Sequence, residues 1–146
     1  SITLKFLMLK STIEIPVRFS EVDSLRVVWH GHYIKYFEDG REAFGKQYGF
    51  SYLDIFNEAG LAMPIVDLQT QYKRPLEYGD SAIIETTFIN TPAAKVIFDF
   101  KIFSAKHKHL VCEGKTVQVF MHPASQELYI VNPPFLEEWK KKHKLM

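Results

Sequence analysis

The chain of 146 residues has the length of one domain, and a composition that is 47% hydrophobic and 14% aromatic can fill a substantial core. Eighteen Lys and Arg against 17 Asp and Glu give a net charge of +1, so no global field favours nucleic acid or an anionic membrane. The single cysteine, Cys112, excludes an internal disulfide, and no apolar run is long enough to predict a membrane span. We therefore expect one soluble, cytoplasmic domain over residues 1–146, with residues 1–10 forming a loose extension.

The first regular pattern lies at residues 12–19, TIEIPVRF, where apolar and polar residues alternate. This two-residue period predicts a half-buried strand that ends at Phe19. Because Pro16 has no N–H to donate, the strand is expected at or near an edge of its sheet.

A helical period follows, in which apolar residues and one glycine recur at steps of three or four: Tyr33, Phe37, Gly40, Phe44 and Tyr48. Ile34, Tyr36 and Ala43 widen the apolar arc, so this long helix should be covered on more than one side. Ser51 and Asp54 form an approximate capping box for a second, short helix that ends near Gly60.

From residue 61 onward the pattern changes to strands rich in β-branched and aromatic residues. Four long runs have this character: PIVDLQTQYKR, DSAIIETTFIN, AKVIFDFKIFSA and LVCEGKTVQVFMH. Their connections are short enough for antiparallel neighbours, QELYIV can extend the sheet, and NPPFLEEWKKKHK predicts a closing helix. The order predicts an α+β domain whose sheet packs on one dominant helix.

Polar chemistry is concentrated where the first strand meets the long helix, in EVDSLRVVWHGHY at residues 21–33. The backbone amides near Trp29, His30 and Gly31 should be the unpaired donors of the helix start, and such donors can stabilise a developing oxyanion. Asp23 precedes them and could attack, or activate water against, a carbonyl held by those amides. On spacing alone, a structural role for Asp23 as a cap or Asx-turn residue is the commoner interpretation.

The segment RFSEVDSLRVVWHGHY resembles the signature of the 4-hydroxybenzoyl-CoA thioesterase-like branch of the hotdog-fold superfamily. The positions that match its pattern are Glu21, Asp23, Val27, Val28, Trp29, His30 and Tyr33. A second block, YKRPLEYGD, resembles the family's entry to the next long strand through Arg74, Pro75, Gly79 and Asp80. The order of elements agrees over roughly residues 11–132.

This resemblance implies a hotdog fold, an antiparallel sheet of five to six strands wrapped around one long central helix. It implies hydrolysis of acyl-CoA thioesters by homodimers or homotetramers, with subunit sheets joined, the substrate threaded along the subunit interface, and no metal or redox cofactor. Asp23 would be the catalytic carboxylate, as nucleophile or as general base. The backbone N–H of His30 would polarise the thioester carbonyl, and the His30 side chain would help to place water or a proton.

The same resemblance makes four residues candidates for substrate binding. Trp29 and Tyr33 flank the helix start, although core packing is the commoner role for an aromatic residue such as Tyr33. Lys73 and Arg74 are candidates for contacts with the nucleotide phosphates of coenzyme A.

Two features depart from the family pattern. Leu25 and Arg26 stand where the family usually has Gly before the valine pair, so Arg26 must strain or reshape the loop if a positive φ is required there. His32 replaces the usual Asn before Tyr33, and a neutral imidazole cannot act as donor and acceptor at once in the way an amide does.

Other motifs support simpler interpretations. The pairs His30/His32 and His107/His109 have a spacing that could face a metal, but no third ligand accompanies either pair, so no metal site is expected. KHKH at residues 106–109 is more typical of a solvated hairpin tip, and Glu38 and Arg41 are spaced for a local ion pair.

Two alternative functions stay open at this level. An acyl carrier protein could deliver the acyl group in place of coenzyme A, or the chain could be a non-catalytic, dimeric acyl-binding module that keeps the fold. Nucleic acid binding has little support, because no basic stripe is interleaved with aromatic residues.

Overall fold

The computed structural model describes residues 8–146 and confirms the predicted order of elements. The elements are β1 (Lys10–Pro16), a 3-10 turn (Phe19–Glu21), α1 (His32–Tyr48), α2 (Tyr52–Ala59), β2 (Ile65–Tyr72), β3 (Ser81–Ile89), β4 (Lys95–Ser104), β5 (Leu110–Met121), β6 (Leu128–Tyr129) and α3 (Pro134–Lys142). Ser51 caps α2 by accepting a hydrogen bond from the Asp54 amide at 3.0 Å, and Gly60 ends that helix with a φ of 66°, both as predicted.

The six strands form one antiparallel sheet in the order β1-β3-β4-β5-β2, with the short β6 paired to β5. Every second residue of β3 is buried, as is expected when one face of a strand covers a core. Helix α1 lies against β1, β3 and β4. The core between helix and sheet is mainly aromatic, and its fully buried rings are Tyr36, Phe37, Phe44, Phe98, Phe100 and Phe120.

A glycine lets α1 approach the sheet closely. A Cβ atom at Gly40 would overlap the Thr86 hydroxyl and would lie 2.7 Å from Cγ2 of Ile84, and both side chains belong to β3. The absent side chain therefore sets the distance between helix and sheet, which offsets the roughly 1 kcal/mol that glycine costs inside a helix.

The prediction that β2 and β3 are antiparallel neighbours is wrong. Strand β2 pairs with β5, while β1 occupies the free side of β3, so Pro16 does lie in an edge strand as predicted. The segment 73–80 crosses the end of the sheet instead of turning back. Its first residues, Lys73 and Arg74, donate backbone hydrogen bonds of 2.8 and 3.1 Å to the carbonyl of Val111.

The structure also corrects both ends of the first strand. β1 stops at Pro16, and Phe19 lies in the 3-10 turn with 78% of its surface exposed. Lys10 already belongs to β1, and the Leu9 carbonyl accepts a 2.9 Å hydrogen bond from the Phe88 amide. The expected loose extension therefore does not include Leu9 or Lys10, and residues 1–7 lie outside the described part of the chain.

No helix within residues 8–146 is both long and apolar enough to cross a bilayer.

Candidate active site

Asp23 opens a tight hairpin that joins the 3-10 turn to α1. Val22 and Val28 pair across this hairpin, and the Asp23 amide donates to the Val27 carbonyl at 2.9 Å. The turn is closed by the Arg26 amide, which donates to the Asp23 carbonyl at 3.0 Å. Arg26 has a φ of 64°, so a non-glycine residue occupies the left-handed position that the sequence suggested.

The Asp23 carboxylate is exposed and takes part in the turn. Its Oδ1 accepts a 2.8 Å hydrogen bond from the Leu25 amide, which makes the Asx turn that was the structural interpretation of this residue. Among residues 8–146, no donor is bonded to its Oδ2. One carboxylate oxygen therefore fixes the loop, and the other is left for chemistry at the surface.

The amides at the start of α1 are only partly unpaired. Contrary to expectation, the Trp29 amide is bonded, because it donates to the Glu21 carbonyl at 3.0 Å. The amides of His30 and Gly31 donate to no acceptor within the described residues. These two N–H groups carry the partial positive charge of the helix start and are the candidates for polarising a carbonyl.

Aromatic side chains surround these two amides. The Trp29 ring is 54% exposed and lies over Gly31, where any Cβ would overlap it. Trp29 also contacts the exposed His30 ring, with 4.9 Å between ring centroids. The His30 carbonyl accepts a 2.7 Å hydrogen bond from the Tyr72 hydroxyl, which ties the helix start to the end of β2. Trp29 and His30 can thus contact a ligand that reaches the free amides.

A buried carboxylate, Glu21, holds this junction from beneath. Its Oε1 accepts hydrogen bonds of 2.8 Å from the Arg18 amide and from the Tyr36 hydroxyl. His32 Nε2 lies 3.0 Å from Oε2 of Glu21, a close contact that is not aligned as a hydrogen bond. The His32 imidazole, which stands where the resembled family usually has an Asn side chain, therefore contacts the Glu21 carboxylate.

The protonation of this network follows from its contacts. Burial alone would raise the pKa of Glu21, but the hydrogen bonds from Arg18 and Tyr36 and the nearby charges of His32 and Arg18 lower it overall. Burial and the bond to Glu21 raise the pKa of Tyr36. Glu21 is therefore ionised at neutral pH and accepts the Tyr36 proton. The sequence matched Glu21 to a motif but gave it no role.

Tyr33 is part of the core. It is only 3% exposed, and its hydroxyl accepts a 3.3 Å hydrogen bond from the Leu76 amide. Burial raises the pKa of Tyr33 to about 12. This placement agrees with the core alternative and leaves little surface for contact with a substrate.

Lys73 and Arg74 lie apart from the Asp23 turn, at the end of β2, where both side chains are exposed. They line a cleft of about 520 Å³ together with Pro75, Glu77, Asp80, His107 and His109. The segment that follows them runs along the Asp23 hairpin, because Glu77 pairs with Val27 and the Tyr78 amide donates to the Arg26 carbonyl at 3.0 Å. The phosphate candidates and the Asp23 loop thus share one end of the domain.

The predicted ion pair on α1 is confirmed. Arg41 Nη2 lies 2.9 Å from Oε2 of Glu38, and the buried guanidinium stacks on the ring of Tyr52, 3.4 Å from its centroid. This arrangement joins α1 to α2 and supports a structural role for both charged residues.

Comparison with known proteins settles the family. The model of the Thioesterase-like superfamily matches residues 17–140 of this chain, which include the whole hairpin, α1, α2 and the strands β2 to β6. The chain belongs to this superfamily.

Curated relatives of this thioesterase-like chain carry related names. It is 35% identical over 91 residues to a putative acyl-CoA thioesterase, YneP of Bacillus subtilis, in a match that covers 62% of this chain and 65% of the relative. It is 29% identical over 109 residues to the acyl-acyl carrier protein thioesterase ATL3 of Arabidopsis thaliana, covering 75% of this chain and 57% of the relative. The match thus spans less than two thirds of the length of either relative.

Solved structures of thioesterase-like proteins share the fold. A DHNA-CoA thioesterase from Staphylococcus aureus superposes with a TM-score of 0.81 at 25% identity, covering 93% of this chain and 91% of that one. A 4-hydroxybenzoyl-CoA thioesterase from Pseudomonas sp. strain CBS-3 superposes with a TM-score of 0.77 at 18% identity, covering 89% and 98% of the two chains. The predicted hotdog fold is confirmed.

Proposed function

We propose that the chain is an acyl-CoA thioesterase, which converts R–CO–S–CoA and water into a carboxylic acid and free coenzyme A. The observation that carries this proposal is the junction before α1. There an exposed carboxylate, Asp23, and two amides that have no acceptor among residues 8–146, those of His30 and Gly31, lie on one short connection. Membership of the Thioesterase-like superfamily and the name of the Bacillus subtilis relative point to the same reaction.

In this proposal the amides of His30 and Gly31 donate to the thioester oxygen and stabilise the negative charge that develops on it. Asp23 then acts in one of two ways. It attacks the carbonyl carbon and expels the thiolate, leaving an anhydride that water hydrolyses, or it takes a proton from a water molecule that attacks instead. The imidazole of His30 stands beside the amides and helps to place that water or a proton.

The Arabidopsis relative supports a second candidate within the same chemistry. Its name gives acyl carrier protein as the acyl donor, and hydrolysis of such a donor would use the same carboxylate and amides. A non-catalytic acyl-binding module is favoured less, because such a module needs neither the exposed acid nor the unpaired amides.

The active form is proposed to be a homodimer or a dimer of dimers. Strand β2 lies at one end of the sheet order, so one of its edges faces no strand among the described residues. Six of its eight residues are exposed, including the apolar Ile65 and Val66. An open strand edge with exposed apolar residues at one end is suited to pairing with a second copy, which supports the joined sheets that the family resemblance implies.

The test is thiol release from a panel of short, long and aromatic acyl-CoAs. We expect Asp23→Asn to lower kcat/KM at least 100-fold for the best substrate, the usual scale for loss of a catalytic acid or base. His30→Ala should cost less, because it removes the imidazole and keeps the amide. Glu14→Gln, an exposed acid on β1, is the matched control and should leave the rate unchanged.

Two results would count against this function. Full activity of Asp23→Asn would remove Asp23 from the mechanism. If the wild type releases thiol from an acyl carrier protein thioester but from no acyl-CoA, the acyl donor is the carrier protein and not coenzyme A.

A further inference from the structure

The cleft that contains Lys73 and Arg74 is built by two separate segments. Lys73 and Arg74 begin the segment that crosses from β2 to β3, and His107 and His109 belong to the hairpin between β4 and β5. Four basic side chains therefore surround a space of about 520 Å³, although the sequence suggested a solvated tip for the hairpin.

A buried acid fixes the hairpin in place. Asp80 accepts hydrogen bonds from the Ser81 amide at 2.7 Å, from the Lys106 amide at 2.9 Å and from the Ser104 hydroxyl. Burial would raise the pKa of Asp80, but these bonds, together with the nearby His107, lower it overall. The ionised carboxylate thus anchors the wall that carries the two histidines.

The basic groups of the cleft are largely free to bind an anion. The His107 and His109 rings lie parallel, 5.5 Å apart, and their ring nitrogens bond to no group in residues 8–146. Arg74 makes no ion pair within the same residues. Lys73 is shared, since its Nζ lies 3.1 Å from Gln71 Oε1 and 3.8 Å from Glu113 Oε1.

The acidic groups of the cleft offset this charge only in part. Three donors occupy the carboxylate of Asp80, which leaves Glu77 as the lining acid without a side-chain partner in the described chain. An anion that binds here would meet Arg74, the two imidazoles and part of Lys73 against one free carboxylate. A phosphate, which accepts several charge-assisted hydrogen bonds, suits that set of donors.

The cleft adjoins the proposed site of hydrolysis. Its lining residue Glu77 pairs with Val27 of the Asp23 hairpin, and the Leu76 carbonyl accepts a 2.8 Å hydrogen bond from Val28. Because the cleft and the amides of His30 and Gly31 lie at one end of the domain, a single ligand can place its thioester at the amides and a phosphate in the cleft. Coenzyme A carries a phosphate monoester on its ribose, whereas a carrier-protein thioester has only the phosphodiester that joins its pantetheine arm to the protein.

We propose that Arg74, His107 and His109 bind the ribose 3′-phosphate of coenzyme A, so that the cleft selects acyl-CoA over acyl carrier protein thioesters. This inference rests on the proposed thioesterase activity and names the part of the substrate that decides the donor. Arg74 supplies the fixed charge, and the two imidazoles donate from the facing wall.

The test compares two acyl donors that carry the same acyl group, the one that the substrate panel identifies as best. One donor is the acyl-CoA, and the other is the acyl-dephospho-CoA, which lacks the 3′-phosphate. We expect a KM at least tenfold higher without the 3′-phosphate and an unchanged kcat, because the charge-assisted hydrogen bonds to that phosphate are lost. Arg74→Gln and the double variant His107→Gln/His109→Gln should raise the KM for acyl-CoA to a similar extent. Neither variant should change the KM for acyl-dephospho-CoA.

Lys142→Gln is the control, since it removes a lysine of α3 that lies outside the cleft, and both KM values should stay the same. Equal KM values of the wild type for the two donors would overturn the proposal. The proposal would also be overturned if the cleft variants raised the KM for acyl-CoA and the KM for acyl-dephospho-CoA equally.

A direct binding measurement separates this proposal from the proposed function. If no thioester is hydrolysed, calorimetry with adenosine 3′,5′-bisphosphate still tests the cleft. We expect binding that weakens at least tenfold in Arg74→Gln and is unchanged in Lys142→Gln. Absence of binding to the wild type would refute the cleft as a phosphate site.

Discussion

At the scale of single residues, Arg26 is the position where the Asp23 loop adopts a strained backbone conformation. A left-handed φ of 64° costs a residue with a Cβ roughly 1–2 kcal/mol. The turn nevertheless closes around it, through the hydrogen bond from the Arg26 amide to the Asp23 carbonyl at 3.0 Å. The chain thus tolerates strain next to the carboxylate that we place in the mechanism.

Replacing this residue should make the protein more stable. We expect Arg26→Gly to raise the free energy of unfolding by about 0.5–1 kcal/mol, because glycine removes the strain but costs some unfolded-state entropy. Ser24→Gly is the control, since Ser24 has a negative φ in the same turn and should lose a few tenths of a kcal/mol. Urea denaturation measures both differences. A less stable Arg26→Gly protein would mean that the arginine side chain itself supports the loop.

Sequence patterns predicted the local backbone conformation of this loop better than the burial of its side chains. The turn at Asp23 follows from a short-range rule, whereas the positive φ at Arg26 was suggested by the glycine that the resembled family usually has there, and both are present. The burial of Glu21 could not be inferred, because an acid inside a polar segment usually lies in solvent. The available signal was Tyr36, whose hydroxyl needs a partner once the apolar arc of the helix buries it.

At the scale of elements, Glu21 connects the 3-10 turn to α1. Its carboxylate holds the Arg18 amide and the Tyr36 hydroxyl, while its backbone carbonyl accepts from Trp29. Both ends of the Asp23 hairpin therefore depend on one residue, and a change in the charge of its side chain should change the stability of the junction.

The stability of this junction should depend on pH. The pKa of Glu21 is lower in the folded protein than in the unfolded chain, so its contribution is full above the unfolded pKa and is lost as the pH falls through the folded pKa. We expect Glu21→Gln to lower the free energy of unfolding at pH 7 by about 1–3 kcal/mol. The gap to the wild type should narrow between about pH 5 and 3.

Denaturant unfolding at a series of pH values measures this gap, with Glu14→Gln as the exposed control whose stability tracks the wild type. A gap that stays constant down to pH 3 would show that the ionised form of Glu21 is not what stabilises the junction.

The elements themselves were predictable, but their pairing was only partly so. Apolar period and capping residues located α1, α2 and the long strands because these signals act within one segment. The pairing of β2 with β5 could not be read from the short connection 73–80, since a segment of that length can either turn back or cross the end of a sheet. The choice depends on which sheet edge is open, and that is a tertiary property.

At the scale of the whole molecule, β1 and β2 form the two ends of the sheet and differ in character. Pro16 and the charged residues Lys10 and Glu14 make β1 a poor template for a further strand. β2 exposes the apolar Ile65 and Val66 at its first two positions, while most of its other exposed residues are polar. This contrast is the basis for proposing that copies of the chain associate through β2.

A charge on the β2 edge should weaken this association. We expect the wild type to sediment as a dimer or tetramer, and Val66→Lys to shift it toward the monomer and to lower thioesterase activity, since the family resemblance places the site at the joint. Val131→Lys is the control, because Val131 is comparably exposed but lies after β6. Sedimentation velocity decides the matter, and an active wild-type monomer would contradict the proposal.

The strand order also implies a sequence of events during folding. Strands β3, β4 and β5 follow one another along the chain and pair as consecutive hairpins, so their loops are short and close at little entropic cost. β1 and β2 must both return from a distance, and the long helix lies between β1 and its partner in the chain. The three central strands can therefore nucleate on their own, and the two outer strands add last. The Asp23 hairpin, which follows β1 and pairs with the segment after β2, would then be assembled only when the chain is otherwise complete.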